Sequence, residues 1–210
     1  MKPLTITIKA PYRNLRKGTF SFSALSPIVG GNGTGKSTLI MMALKALAKA
    51  QPKLVTEAYW NATASEDAPF SATGFEQVSS FYLHSSKMRQ AQFIDLSSTI
   101  AQGLGRIWAS EGEDCIMTLN KCIPALEDPN ALFLFDEVDG HLDYYHKTLF
   151  FEYILPRIKG TALVVTHDPY FLADLSVLDL TDSTHKTGIK YYDEQRERIK
   201  LQKKTQATPK

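Results

Sequence analysis

A chain of 210 residues, 43% of them hydrophobic, suffices for one globular domain with a substantial core. Its apolar runs are short, such as Ile40–Leu44 and Ala131–Phe135, far below the roughly 20 residues of a bilayer span, so a membrane role is not expected. The net charge of +2 conceals basic ends, and the two cysteines, Cys115 and Cys122, are spaced too far along one expected helix to bridge, which suits reduced core thiols in a cytoplasmic protein without a signal peptide.

Leu4–Lys9 alternates as an edge-type strand, and Tyr12-Arg13-Asn14-Leu15 leads into a second short strand, Thr19–Phe22. Ser26–Val29 is a third strand, and Thr38–Ala48 is strongly helix-forming. Between them stands Gly30-Gly31-Asn32-Gly33-Thr34-Gly35-Lys36-Ser37-Thr38. Glycines at a strand-to-helix turn let successive backbone N–H groups curl around a phosphate, and the helix N-terminus adds partial positive charge. ATP or GTP binding is the expectation, with Lys36 reaching the β- and γ-phosphates and the Ser37 hydroxyl on Mg²⁺. The alternative is an ordinary Gly-rich turn, which the strand and helix flanks argue against.

Pro52–Gly74 is mixed and polar and reads as an irregular insertion, followed by a strand, Val78–Leu83, with His84, Ser85 and Ser86 just beyond it. Ser110-Glu111-Gly112-Glu113 precedes a helix whose apolar positions Ile116, Leu119, Ile123 and Leu126 are expected on one side. Ala131–Asp143, ALFLFDEVDGHLD, carries five consecutive apolar residues and then two carboxylates, the pattern of a strand buried on both faces that ends in a metal-and-water site. Asp136 is the expected Mg²⁺ residue, through water, and Glu137 the group that orients or deprotonates the attacking water. After a helix over Tyr144–Leu155, the apolar strand in Thr161–Asp168 delivers His167 to the same sheet edge, near the γ-phosphate. Taken singly, the acidic strand end reads as a solvated turn and the histidine as structural; the phosphate loop upstream makes them a set.

That set resembles the ABC ATPase class: a phosphate loop, an apolar strand ending Asp136-Glu137, Asp139 shortly after it, and a strand ending in His167. The resemblance covers most of Met1–Leu180. It implies an α/β P-loop NTPase fold with a mainly parallel central sheet, an N-terminal antiparallel β part and a small helical insertion, over residues 1–185, with the insertion at about 52–110. Ser110 and Gly112 then match a Ser-x-Gly signature that binds the γ-phosphate held by another subunit, and Asp139 and Asp143 match a loop that crosses the dimer interface. The order of the N-terminal elements is similar to the soluble branch containing RecF, the SMC chromosome proteins and OLD-type nucleases, where Arg13 matches a nucleotide-side arginine. Tyr12 is the other candidate, stacking on adenine. The glutamine that usually follows a central strand in the class has no clear counterpart.

Only 73 residues separate Lys36 from Ser110, too few for a long coiled coil, and no separate nuclease domain is expected after His167. The resemblance therefore implies a minimal head: an ATPase using ATP and Mg²⁺, an ATP-dependent homodimer, and a separate effector protein in DNA repair, DNA processing or phage–host conflict. Residues 186–210 carry eight basic against three acidic residues, which suits either a solvated tail or DNA as a candidate partner. The competing readings are the ATP-binding subunit of a transporter, and a P-loop kinase or GTPase; the latter leaves Asp136-Glu137 and His167 without a task.

Overall fold

The computed structural model describes residues 2–55, 69–85, 111–168, 178–180, 193–194 and 197–202. Strand β1 (Leu4–Ile8) buries Leu4, Ile6 and Ile8 on one face, as its alternation requires. It is not an edge strand as expected. It pairs antiparallel with β2 (Gly18–Phe22) on one side and with β4 (Phe70–Thr73) on the other, Ile6 lying opposite both Phe20 and Ala72. The second partner comes from a stretch whose composition reads as irregular, because four residues of Phe-Ser-Ala-Thr are too few to display a period of two.

The larger sheet has five strands, all parallel, in the order β5-β6-β7-β3-β8: β3 is Leu25–Val29, β5 Ser80–Ser85, β6 Ala131–Asp136, β7 Thr161–Val165 and β8 Leu178–Asp179. Parallel strands need covered faces, and the continuous apolar runs of β6 and β7 meet that need. Leu132, Leu134, Leu163 and Val165 point to one core, shared with helix α1 (Lys36–Ala50) and the antiparallel sheet. Phe133, Phe135, Ala162 and Val164 point to the other, shared with helix α2 (Glu111–Cys122) and the segment from Phe150 to Ile158. Each fully buried Leu or Phe contributes about 1.5–3 kcal/mol relative to exposure, so the two-faced strands account for much of the drive to this arrangement.

Helix α2 buries Cys115, Leu119 and Cys122; neither cysteine forms a disulfide. Ile123, expected on the same side, is 44% exposed. The helix ends at Cys122 and a 3₁₀ turn with Pro124 follows, Ile123–Ala125, which changes the angular step and carries Ala125 inward in place of Ile123, while Leu126 is buried as expected. The β6–β7 crossover begins as α3 (Tyr144–Thr148), widens to a π turn over Leu149–Ile154 and closes with a 3₁₀ turn, Leu155–Arg157. Among the described residues, no helix is long and apolar enough to cross a membrane. Residues 197–202 are helical.

Candidate functional site

Three strand ends meet at the C-terminal edge of the parallel sheet. β7 lies between β3 and β6, so its last residues stand between the glycine loop that follows β3 and the carboxylates that follow β6. In the loop, Gly30, Gly33 and Gly35 have φ of 148°, 80° and 98°, backbone that side chains resist. Gly35, at the N-cap of α1, is also a close approach: a Cβ there would lie 2.7 Å from the Leu15 side chain. Lys36 is buried, and its ammonium donates to the carbonyls of Gly30 (2.9 Å) and Gly31 (3.0 Å), folding the side chain back over the loop. Thr34 ties the same turn through its hydroxyl, which donates to the Gly31 carbonyl at 3.0 Å.

Asn14 and Leu15 have a part in this loop that their sequence does not announce. A bridge between Tyr12 and Leu15 closes a turn, with Arg13 at φ 51°. The turn presses the buried Leu15 onto Gly35, and the Asn14 amide donates to the Gly33 carbonyl. The Arg13 guanidinium lies 5.5 Å from the centre of the Tyr12 ring, a cation–π distance. Tyr12 itself packs against the core, whereas Arg13, Arg16 and Phe20 line a cavity of about 640 Å³ that also includes Asn32, Gly33 and Asp179. Arg13 thus faces the open space beside the glycine loop, and Tyr12 supports it from beneath.

Asp136 ends β6 and is 3% exposed. Its two carboxylate oxygens are divided between two hydroxyls: Ser37 in the first turn of α1 donates to Oδ1 at 3.1 Å, and Ser85 at the end of β5 donates to Oδ2 at 3.1 Å. The parallel register places Ser85 directly opposite Asp136. Glu137 then takes a left-handed backbone, φ 58°, with its N–H bonded to the Val165 carbonyl at 3.0 Å. That conformation costs a non-glycine residue on the order of 1 kcal/mol or more. It turns the carboxylate toward the end of β7, where Glu137 Oε1 lies 3.5 Å from His167 Nε2, both side chains being partly exposed.

Behind this pair a buried bond joins the two loops. The Thr166 hydroxyl donates to Asp139 Oδ2 at 2.7 Å and accepts from the Asp168 N–H at 3.0 Å. Burial pushes the Asp139 carboxyl above the ordinary carboxylate range, and the bond from Thr166 opposes that rise. Asp143 is an N-cap: its side chain accepts from the His146 N–H at 2.8 Å, and this bond first of all holds its carboxyl below the ordinary range.

The structure therefore brings Gly30, Gly31, Asn32, Gly33, Thr34, Gly35, Lys36, Ser37 and Thr38 to one edge with Asp136, Glu137 and His167. Gly112 lies in the first turn of α2, and Ser110 lies outside the described residues. Asn14, Thr166 and the bond made by Ser85 had no signal in the sequence: each depends on a pairing between segments far apart in the chain. No protein-family model matches the chain, and no curated protein matches it in sequence.

Proposed function

We propose that this protein is a soluble, cytoplasmic ABC-class ATPase of P-loop type, related to the RecF, SMC and OLD-like branch, that hydrolyses ATP with Mg²⁺ in an ATP-dependent homodimer and gates a separate effector. The observation that supports it most is the Ser37–Asp136 bond, which couples the glycine loop to a carboxylate 99 residues later in the chain. A hydroxyl and a carboxylate are hard oxygen donors, the kind that Mg²⁺ prefers. Mg²⁺ usually keeps several waters and takes one or two protein oxygens together with substrate phosphates, a pattern that Ser37 and Asp136 suit. Mg²⁺ bound by Ser37 and Asp136 would neutralise charge on the β- and γ-phosphates.

The protein's own groups divide the remaining work. The loop N–H groups and α1 receive the phosphates, and Lys36, already drawn over the loop, places its ammonium on them. Glu137 accepts a proton from water as the water oxygen bonds to the γ-phosphorus and the bridging P–O bond to ADP breaks. His167, beside Glu137, holds the water and the γ-phosphate in line by hydrogen bonding. Arg13, Arg16 and Phe20 bound the space that receives the nucleoside. Glu137→Gln preserves size and hydrogen bonding without the base, so this variant is expected to bind ATP and not turn it over, whereas Lys36→Ala should bind poorly. Fluorescent-nucleotide binding and phosphate release, measured separately, test this; full hydrolysis by Glu137→Gln would sink the assignment.

A further inference from the structure

The cavity beside the glycine loop carries a charge that the reaction scheme does not use. Arg13 and Arg16 suit an anionic ligand, yet Asp179 lines the same space of about 640 Å³, and among the described residues that line it Asp179 is the one carboxylate. We propose that Asp179 reads the nucleoside, its carboxylate accepting a hydrogen bond from a neutral donor, a ribose hydroxyl or the N6 amine of adenine; the inference rests on the ATPase reading above. Chemistry and position rule out two other tasks. A carboxylate accepts hydrogen bonds and donates none, so it repels phosphate oxygens and pairs with the donor-bearing part of a nucleotide. Cation binding together with Asp136 fails on distance: β7 and β3 stand between β6 and β8, which puts Asp179 three strand spacings, roughly 14 Å, from Asp136. The sheet sets where Asp179 stands. It lies opposite Val29 in the parallel pairing of β8 with β3, and the N–H of the next residue, Leu180, donates to the Val29 carbonyl at 2.9 Å, immediately before the glycine loop opens at Gly30. Asn32, Gly33 and Thr34 of that loop share the cavity with it, as does Phe20. A nucleotide whose phosphates lie on the loop therefore has its ribose and base in this space, next to the carboxylate.

Nucleoside diphosphates test this without turnover. ADP, 2′-deoxy-ADP, 3′-deoxy-ADP and purine riboside diphosphate, which lacks the N6 amine, are to be compared by their displacement of a fluorescent nucleotide. The wild-type chain should bind ADP about tenfold more tightly than the analogue lacking the donor that Asp179 takes, a ratio in keeping with a charge-assisted hydrogen bond. Asp179→Ala should bring that ratio to about one. Asp179→Asn keeps one acceptor oxygen without the charge; a neutral bond being about half as strong, its ratio should be about threefold, and it carries the test should the alanine variant fold poorly. The analogue that loses affinity names the donor. Wild-type binding of all these nucleotides within about twofold of one another, or a ratio unchanged in both variants, overturns the proposal while leaving the ATPase reading intact. A change of affinity equal for ADP and every analogue also overturns it, because the carboxylate then acts only on the charge of the cavity. A wild-type protein that binds neither ADP nor ATP refutes the ATPase reading, and this inference with it.

Discussion

Thr166 is the residue whose removal has the most specific consequence. Its hydroxyl is the donor that favours the ionised form of Asp139, against a burial that disfavours it. An acid whose folded pKa exceeds its unfolded value binds protons more tightly when folded, so its contribution to stability is best in acid and declines as pH rises from about 3.8 through the folded value. Thr166→Val raises that folded value further. The expected loss is about 2 kcal/mol at neutral pH, shrinking toward pH 4, with Thr166→Ser restoring most of it; urea unfolding at several pH values measures the slope. Cys122 behaves differently. Burial pushes its thiol up to about 11, and Cys115 is equally enclosed, so a disulfide reagent should label both cysteines only after unfolding. Rapid labelling of the native protein would contradict the packing of α2.

At the scale of elements, the Tyr12–Leu15 turn and the glycine loop act as one unit. Leu15→Ala removes the side chain that seats Gly35, with an expected loss of about 2–5 kcal/mol. Asn14→Ala removes only the bond to the Gly33 carbonyl, so melting should change by about 1 kcal/mol while nucleotide affinity falls; equal affinity would deny the turn its part in shaping the loop. What was legible beforehand follows a physical divide. The glycine loop was readable because its glycines, lysine and serine are contiguous, and β6 and β7 because burial on both faces demands uninterrupted apolar residues. The apolar pattern runs on to Leu126, whereas the helix ends at Cys122 just before Pro124, so Ile123 falls outside the 3.6-residue period that would have turned it inward. Ser85 on Asp136 and Thr166 on Asp139 are products of register and crossover, and no local pattern encodes them.

For the whole molecule, the proposed function requires a second copy, with the Ser110-Glu111-Gly112-Glu113 stretch of one chain reaching the γ-phosphate held by the other. Light scattering of Glu137→Gln should then show a doubling of mass with ATP, none with ADP, and none after adding Ser110→Arg. A monomer in ATP, or a dimer indifferent to Ser110→Arg, would count against it. Isolated from its native cell, the trapped dimer should carry an effector protein; if DNA is bound through the basic ends, the binding should weaken steeply with salt. The strand order has a further consequence, for the time course of synthesis. β3 carries the glycine loop by residue 35 and β6 delivers its carboxylates by residue 137, but neither pairs with the other, since β7, ending at Val165, lies between them. A nascent chain therefore holds a β5–β6 pair and a lone β3, both with unpaired edges, until β7 emerges and is inserted between them. The loop and the carboxylates come into register only then, so a polypeptide cut short before Val165 has the parts of the site without the strand that aligns them.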